Sequence, residues 1–160
     1  MALFVIRHAS AGARNPAAPD DHLRALDAAG HERAATIAAH LADRRVQRVL
    51  TSPAVRCRQT VEPLAAMVGA EVEEHQALAE GTALVDALAL VAGLAKEGPT
   101  AALCTHGDLI PEIIRTLQRT GTTVNGRTGW AKGSIWTLEV RDGEIASASY
   151  ESFSGAGLLS

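Results

Sequence analysis

The chain has 160 residues, 47% of them hydrophobic, with a formal net charge of -3 and a sequence pI near 6.0. This length suits one domain over residues 1–160, able to bury roughly two-thirds of its unfolded surface around one core. The 15 Lys and Arg residues are scattered, which speaks against a nucleic-acid partner, and the two cysteines, Cys57 and Cys104, lack metal or disulfide spacing and are expected to pack as small hydrophobes.

The run Phe4-Val5-Ile6 ends directly in Arg7-His8, so a buried strand should deliver a cation and an imidazole to one sheet edge. Neutral imidazole attacks phosphorus well, and a guanidinium offers forked donors matched to phosphate oxygens. The pair points to phosphoryl chemistry through a phosphohistidine; an ordinary polar strand end is the other reading of the dipeptide alone. The opening apolar run is too short for a signal peptide and no basic segment precedes it, which suggests the cytoplasm.

Gly12, Pro16 and Pro19 exclude a long regular element from residues 10–23, a loop expected to overhang the strand end. Asp27 suits the cap of a helix reaching about residue 43, with Ala34, Ile37, Ala38 and Leu41 on its core stripe. Residues 48–51 form a second strand, and Pro53 is expected in the first turn of the next helix. That places Arg56 near the edge, while Arg58 points elsewhere on the helix. Residues 71–75 form a third strand, leading into Leu78-Ala79-Glu80-Gly81. A helix over 83–96 follows; its apolar stretch contains Asp86 and is far too short to span a membrane. After Gly98-Pro99 comes a strand over 100–105 and then His106. Gly107-Asp108 is read as the start of a helix whose N–H groups and dipole favour an anion, with Pro111 in its first turn. Residues 121–129 read as a loop and substrate rim, and residues 134–140 and 145–153 as an antiparallel edge hairpin around Asp142-Gly143. Trp130 and Trp136 are expected to serve packing. Gly155-Ala156-Gly157 is read as a loosely held tail.

Three polar clusters therefore follow three strands: Arg7-His8, Thr51 to Thr60, and Cys104-Thr105-His106-Gly107-Asp108. In an open α/β sheet such junctions share the carboxyl edge, where ligands bind. Two histidines and two or three arginines can converge there on one anion.

In this order the clusters resemble the histidine phosphatase superfamily, also called phosphoglycerate mutase-like. Arg7-His8-Ala9 is similar to its Arg-His-Gly signature, Ser52-Pro53 through Gln59-Thr60 to its second-arginine motif, and His106-Gly107 to its second histidine. Arg24-Ala25-Leu26-Asp27-Ala28-Ala29-Gly30 resembles the family's Arg-Pro-Leu-Thr-x-x-Gly helix entrance. Trp130-Ala131-Lys132-Gly133-Ser134 and the stretch from Arg56 to Ala65 look most like the small histidine phosphatase domains fused to Nudix hydrolases in actinobacteria, with small phosphohistidine phosphatases next.

The resemblance implies a three-layer α/β/α sandwich, mainly parallel with an antiparallel edge strand, acting as a hydrolase without metal or other cofactor. His8 would be the nucleophile, while Arg7, Arg56 and His106 hold the equatorial oxygens. Glu80 falls where acid-bearing relatives place their proton donor; Asp20 or Asp21 in the overhanging loop is the alternative. Gly107 and Lys132 would add substrate contacts, and Arg24 either faces the substrate or is solvated. The implied partner is a small phosphorylated substrate or a phosphohistidine protein, with neither nucleic acid nor membrane; no pattern sets an oligomeric state. Nucleotide or polyphosphate hydrolysis, and a phosphate-binding regulatory module without catalysis, are the alternatives.

Overall fold

The computed structural model describes residues 1–15, 17–154 and 157–159. Its strands are β1 (Ala2–Arg7), β2 (Arg48–Thr51), β3 (Val72–Glu74), β4 (Ala101–Thr105), β5 (Thr123–Asn125), β6 (Ile135–Arg141), β7 (Glu144–Ser154) and β8 (Gly157–Leu159). The helices are α1 (Ala28–Leu41), α2 (Val55–Val68), α3 (Leu84–Glu97) and α4 (Ile110–Arg119). The main sheet runs β3-β2-β4-β1-β6-β7-β5, with β8 paired to β7. Its first four strands are parallel, β6 is antiparallel to β1 and β7, and β5 is parallel to β7.

β1 is apolar without alternation because both its faces are covered. Ala2, Phe4 and Ile6 join Ile37, Leu41, Val61 and Leu64 of α1 and α2 in one core layer. Leu3 and Val5 join Val91, Leu94, Ile110 and Ile114 of α3 and α4 in the other. Each fully buried aliphatic side chain in these layers contributes roughly 1.5–3 kcal/mol. The result is the expected three-layer α/β/α arrangement. Among the described residues no helix is long and apolar enough to cross a membrane.

The winding sets the position of the site. From β1 the chain moves through α1 to β2 and through α2 to β3, then returns through α3 to β4, which inserts between β2 and β1. The helices change face at this reversal, and a crevice opens beyond the carboxyl ends of the central strands. The register puts Arg7 beside Thr105 and Thr51 beside Cys104, so all three polar clusters leave the sheet at one level.

The entrance to α1 is fixed locally. Asp27 caps it by accepting from the Gly30 N–H at 2.8 Å, and the same carboxylate accepts from the Ser10 hydroxyl at 2.6 Å. These contacts hold the Asp27 carboxyl down to about 2. Residue 30 has to be glycine because a Cβ there would come within 2.0 Å of the Ser10 carbonyl oxygen.

Several expected details differ. Pro53 lies before the extended Ala54 cap of α2, outside the first turn. α4 begins at Ile110, and residues 107–109 form a turn closed by the N–H groups of Leu109 and Ile110 on the His106 carbonyl. The 121–129 segment contains β5, which finds its partner in β7. The β6–β7 hairpin consequently lies inside the sheet between β1 and β5. Of the expected tail, Gly157 is in β8, paired with Ser154; Gly155, Ala156 and the loop residue Pro16 lie outside the described residues.

Candidate active site

Main-chain contacts hold the end of β1. The Arg7 N–H donates to the Ser134 carbonyl at 3.1 Å, and the Gly133 N–H donates back to the Arg7 carbonyl at 3.0 Å. The Arg7 guanidinium donates through Nη1 to the Trp130 carbonyl at 2.6 Å. Its plane lies against Gly107, where a Cβ would come within 2.7 Å of Arg7 Cζ. Glycine at 107 therefore admits the guanidinium.

The His8 side chain is buried, and its Nδ1–H donates to the Ala9 carbonyl at 2.8 Å. This fixes the tautomer and leaves Nε2 as a lone pair. Burial pushes His8 down to about 3; the Ala9 carbonyl opposes that shift, and His106, Arg56 and Arg7 reinforce it. Its ring is thus neutral at physiological pH. Ala9, at the family's first glycine, needs no left-handed backbone; it is buried with Ala11, Leu26 and Ala34. Its N–H donates to Thr60 Oγ1 at 3.0 Å, and that hydroxyl donates to the Arg56 carbonyl at 2.7 Å. The neighbouring Gln59 accepts from the Leu26 N–H at 2.8 Å, so Gln59 and Thr60 tie α2 to the chain around the strand end.

Arg56 is 2% exposed. Nη1 donates to the Asp21 carbonyl at 3.1 Å and lies 3.5 Å from the Asp21 carboxylate. Nη2 donates to Glu80 at 2.9 Å and lies 3.3 Å from His106 Nδ1. The Nε atoms of Arg7 and Arg56 are buried without a hydrogen-bond partner. An unmatched guanidinium donor is expensive to bury. Arg58 faces away and pairs with Glu62 and Glu74, both at 3.1 Å.

His106 is also buried, its ring centroid 5.4 Å from that of His8. Nε2 shares a 2.8 Å hydrogen bond with Ser52 Oγ, and Cys57 Sγ lies 3.5 Å from the same nitrogen. Both cysteines are buried free thiols in the α1–α2 core layer. Burial raises Cys57, but contacts with Cys104 and His106 and the charge of Arg56 bring it down to about 6. Cys104 is pushed up, chiefly by burial.

The rim comes from loops. Glu80 pairs with Arg14 at 3.2 Å as well as with Arg56, and the Asp108 carboxylate accepts from the Gly81 N–H at 2.9 Å, anchoring the Glu80 turn. Arg24 donates to Asp21 at 3.0 Å and to the Ala11 carbonyl at 2.7 Å. That bond to Arg24 is the main cause holding the Asp21 carboxyl below its ordinary range.

Together these side chains enclose a cavity of about 270 Å³ lined by Arg7, His8, Arg14, Arg24, Arg56, Glu80, His106, Gly107, Asp108 and Lys132. Arg7, His8, Arg24, Arg56, Glu80, His106, Gly107 and Lys132, selected from the sequence, all line it, whereas the alternative acids Asp20 and Asp21 do not. Arg14 was missed because it sits in an irregular loop without a motif, and Asp108 was read as part of the third polar cluster and a helix start, without a contact of its own. Five cationic side chains face two carboxylates here, a lining suited to an anion of more than one charge.

Known proteins resemble this chain in sequence and in fold. The chain is 31% identical over 151 residues to the 8-oxo-(d)GTP phosphatase of Mycolicibacterium smegmatis, covering 92% of this chain and 47% of that protein. It thus spans about half the length of that curated relative. The structure of the protein histidine phosphatase SixA complexed with tungstate superposes with a TM-score of 0.72 at 22% identity, over 94% of each chain. A mycobacterial glucosyl-3-phosphoglycerate phosphatase complexed with VO3 gives 0.70 at 18% identity, over 96% of this chain and 99% of that one. At these identities the two structures show a shared fold. The family model for the histidine phosphatase superfamily (branch 1) matches residues 3–83, just over half of the 160 residues, and the chain belongs to this phosphatase superfamily.

Proposed function

We propose that the chain is a metal-independent phosphatase working through a phosphohistidine on His8. The observation that carries this reading is the buried, neutral His8, whose Nδ1–H is tied to the Ala9 carbonyl and whose Nε2 lone pair is left for a cavity that Arg7, Arg56 and His106 also line. A pocket that only bound phosphate would have no use for such a nucleophile.

In the first step Nε2 attacks phosphorus, the bond to the leaving group breaks, and the departing atom takes a proton. Arg7, Arg56 and His106 hold the equatorial oxygens and balance charge building in the transition state. In the second step water attacks the phosphohistidine, freeing inorganic phosphate and His8. Glu80 is the proposed proton donor and then base. Without substrate it occupies the Arg56 donor that a phosphoryl oxygen would take, so binding displaces it to the edge of the anion. An adjoining cavity of about 350 Å³ shares Arg56, Glu80 and His106 but not Arg7 or His8, the side expected for a group departing opposite His8. Asp21 lines this second space too, and its hydrogen bond to Arg24 favours its ionised form.

The substrate is a small phosphomonoester or a phosphohistidine protein. A second reading, a nucleotide or polyphosphate substrate, is favoured by the surplus of cations over what one phosphoryl group needs, and the M. smegmatis relative carries a nucleotide phosphatase name. We place the reaction in a single domain and in the cytoplasm. The test is rapid quench with labelled substrate: an acid-labile, base-stable phosphoryl group should map to His8. Label on Ser10, Ser52 or Cys104, or none with an active enzyme, removes this mechanism.

A further inference from the structure

Two imidazoles face this cavity with opposite tasks, and what lies behind each ring fixes which atom it offers. Behind His8 is a carbonyl, which can only accept, so Nδ1 keeps the proton and Nε2 presents a lone pair. Behind His106 is Ser52 Oγ, 2.8 Å from Nε2. That hydroxyl is 1% exposed and already accepts from the Ala54 N–H at 3.2 Å. Its own proton needs an acceptor, since a buried donor left unpaired is costly. Among the described residues its one remaining partner is His106 Nε2. Arg56 Nη2, which can only donate, lies 3.3 Å from Nδ1 and competes for the opposite tautomer; its contact is longer than that of Ser52 to the ring, and Nη2 also has Glu80 as an acceptor at 2.9 Å.

We infer that Ser52 is a positioning residue that donates to His106 Nε2, holding His106 as the Nδ1–H tautomer so that it presents a proton to the bound phosphoryl group. This deepens the proposed function and rests on its reading of His106 as a phosphoryl ligand. The groups facing the ring are Ser52, Cys57, Arg56 and His8. Cys57 is the rival for Nε2: as a thiolate it would accept from Nε2–H, in either the opposite neutral tautomer or an imidazolium, whereas as a thiol its hydrogen reaches the Thr105 carbonyl at 3.8 Å.

The direct test is nitrogen-15 NMR of ring-labelled, ligand-free wild-type enzyme above the pH range in which its histidines titrate. His106 should show a protonated Nδ1 and an unprotonated Nε2. A protonated Nε2, in either the neutral ring or an imidazolium, overturns the inference. The second arm measures vanadate affinity. Ser52→Ala should weaken it roughly 3- to 10-fold, the range for one neutral hydrogen bond, and Ser52→Thr should restore it. The Ser52→Ala deficit relative to wild type should shrink as pH falls, because a doubly protonated imidazole carries Nδ1–H whatever stands behind it; a deficit constant with pH marks a merely structural role and overturns the inference. Cys57→Ala should leave the ring signals in place, and if it shifts them where Ser52→Ala does not, the thiol is the partner. His106→Ala separates the two levels of argument: vanadate affinity unchanged there removes the phosphoryl-ligand reading itself, whereas lost affinity with the wrong wild-type tautomer removes only the role of Ser52.

Discussion

The floor and the rim of the cavity are built on different principles. The floor consists of Arg7, His8, Arg56 and His106, three of them at most 5% exposed and each set by a strand end or the first turn of a helix. Its fixing contacts are main-chain carbonyls, Thr60, Ser52 and the bare face of Gly107. The rim consists of Arg14, Arg24 and Glu80 from irregular segments, held by side-chain pairs with one another and with Asp21 and Arg56, with Lys132 from the segment before β6. Buried groups on secondary structure hold one geometry, while long exposed side chains such as Arg14 and Lys132 change partners at little energetic expense. The floor accordingly suits bond breaking at phosphorus, and the rim suits adjustment to what phosphorus carries.

Substitutions can break that division, and the largest effect should come from the floor. His8→Asn keeps a polar side chain but no nucleophile, so turnover should fall about 10⁴-fold or more, measured as kcat, while vanadate still binds. Activity near wild type would move the nucleophile elsewhere.

Glu80 straddles the two regions, and its effect should depend on the leaving group. Glu80→Gln should slow alkyl phosphates about 10²- to 10⁴-fold, the usual worth of general acid help, and leave nitrophenyl phosphate nearly untouched because nitrophenolate departs without a proton. On a phosphohistidine substrate the same change should have little effect. Alkyl phosphate rates unchanged in Glu80→Gln but lost in Asp21→Asn would transfer the acid to the overhanging loop.

Next in size is the pair of α2 arginines. Arg56→Ala should weaken vanadate binding roughly 10- to 150-fold through loss of a charge-assisted contact, whereas Arg58→Ala, whose partners are the exposed Glu62 and Glu74, should leave it unchanged. Equal losses by calorimetry would erase the distinction between floor and surface.

At the rim, Lys132→Ala or Arg14→Ala should raise KM only a few-fold for a monophosphate, consistent with exposed charges worth about 0–1 kcal/mol. The effect should grow for a diphosphate ester if the surplus cations hold a second phosphate; identical effects on both substrates would count against the nucleotide reading.

The smallest effect concerns stability. His8 takes up a proton near pH 6.5 when unfolded but only near 3 in the fold. Its native state therefore binds fewer protons between those values, and the stability it contributes, complete above about 6.5, declines as pH falls toward 3. Denaturant unfolding of His8→Asn against wild type across that window should show a shallower loss on acidification; identical slopes would mean that His8 is not buried neutral.

The local pattern settled the strand ends, because a doubly covered parallel strand must be apolar throughout and must stop where polarity begins. Phe4-Val5-Ile6 before Arg7-His8, and Ala101 to Leu103 before His106, are such transitions, and the motif order then located Arg56. The Asp27 cap was equally legible, since a helix start is written in a few adjacent residues. By contrast, β5 escaped notice because a three-residue strand carries no periodicity of its own and exists only where β7 offers an edge. The inward place of the β6–β7 hairpin, the reach of Arg14 and the close approach of Arg7 to Gly107 depend on partners distant in the chain. Sequence spacing could bring two histidines to one sheet edge, but only the folded packing put a carbonyl behind His8 and a hydroxyl behind His106, and the proton on an imidazole follows the group behind it.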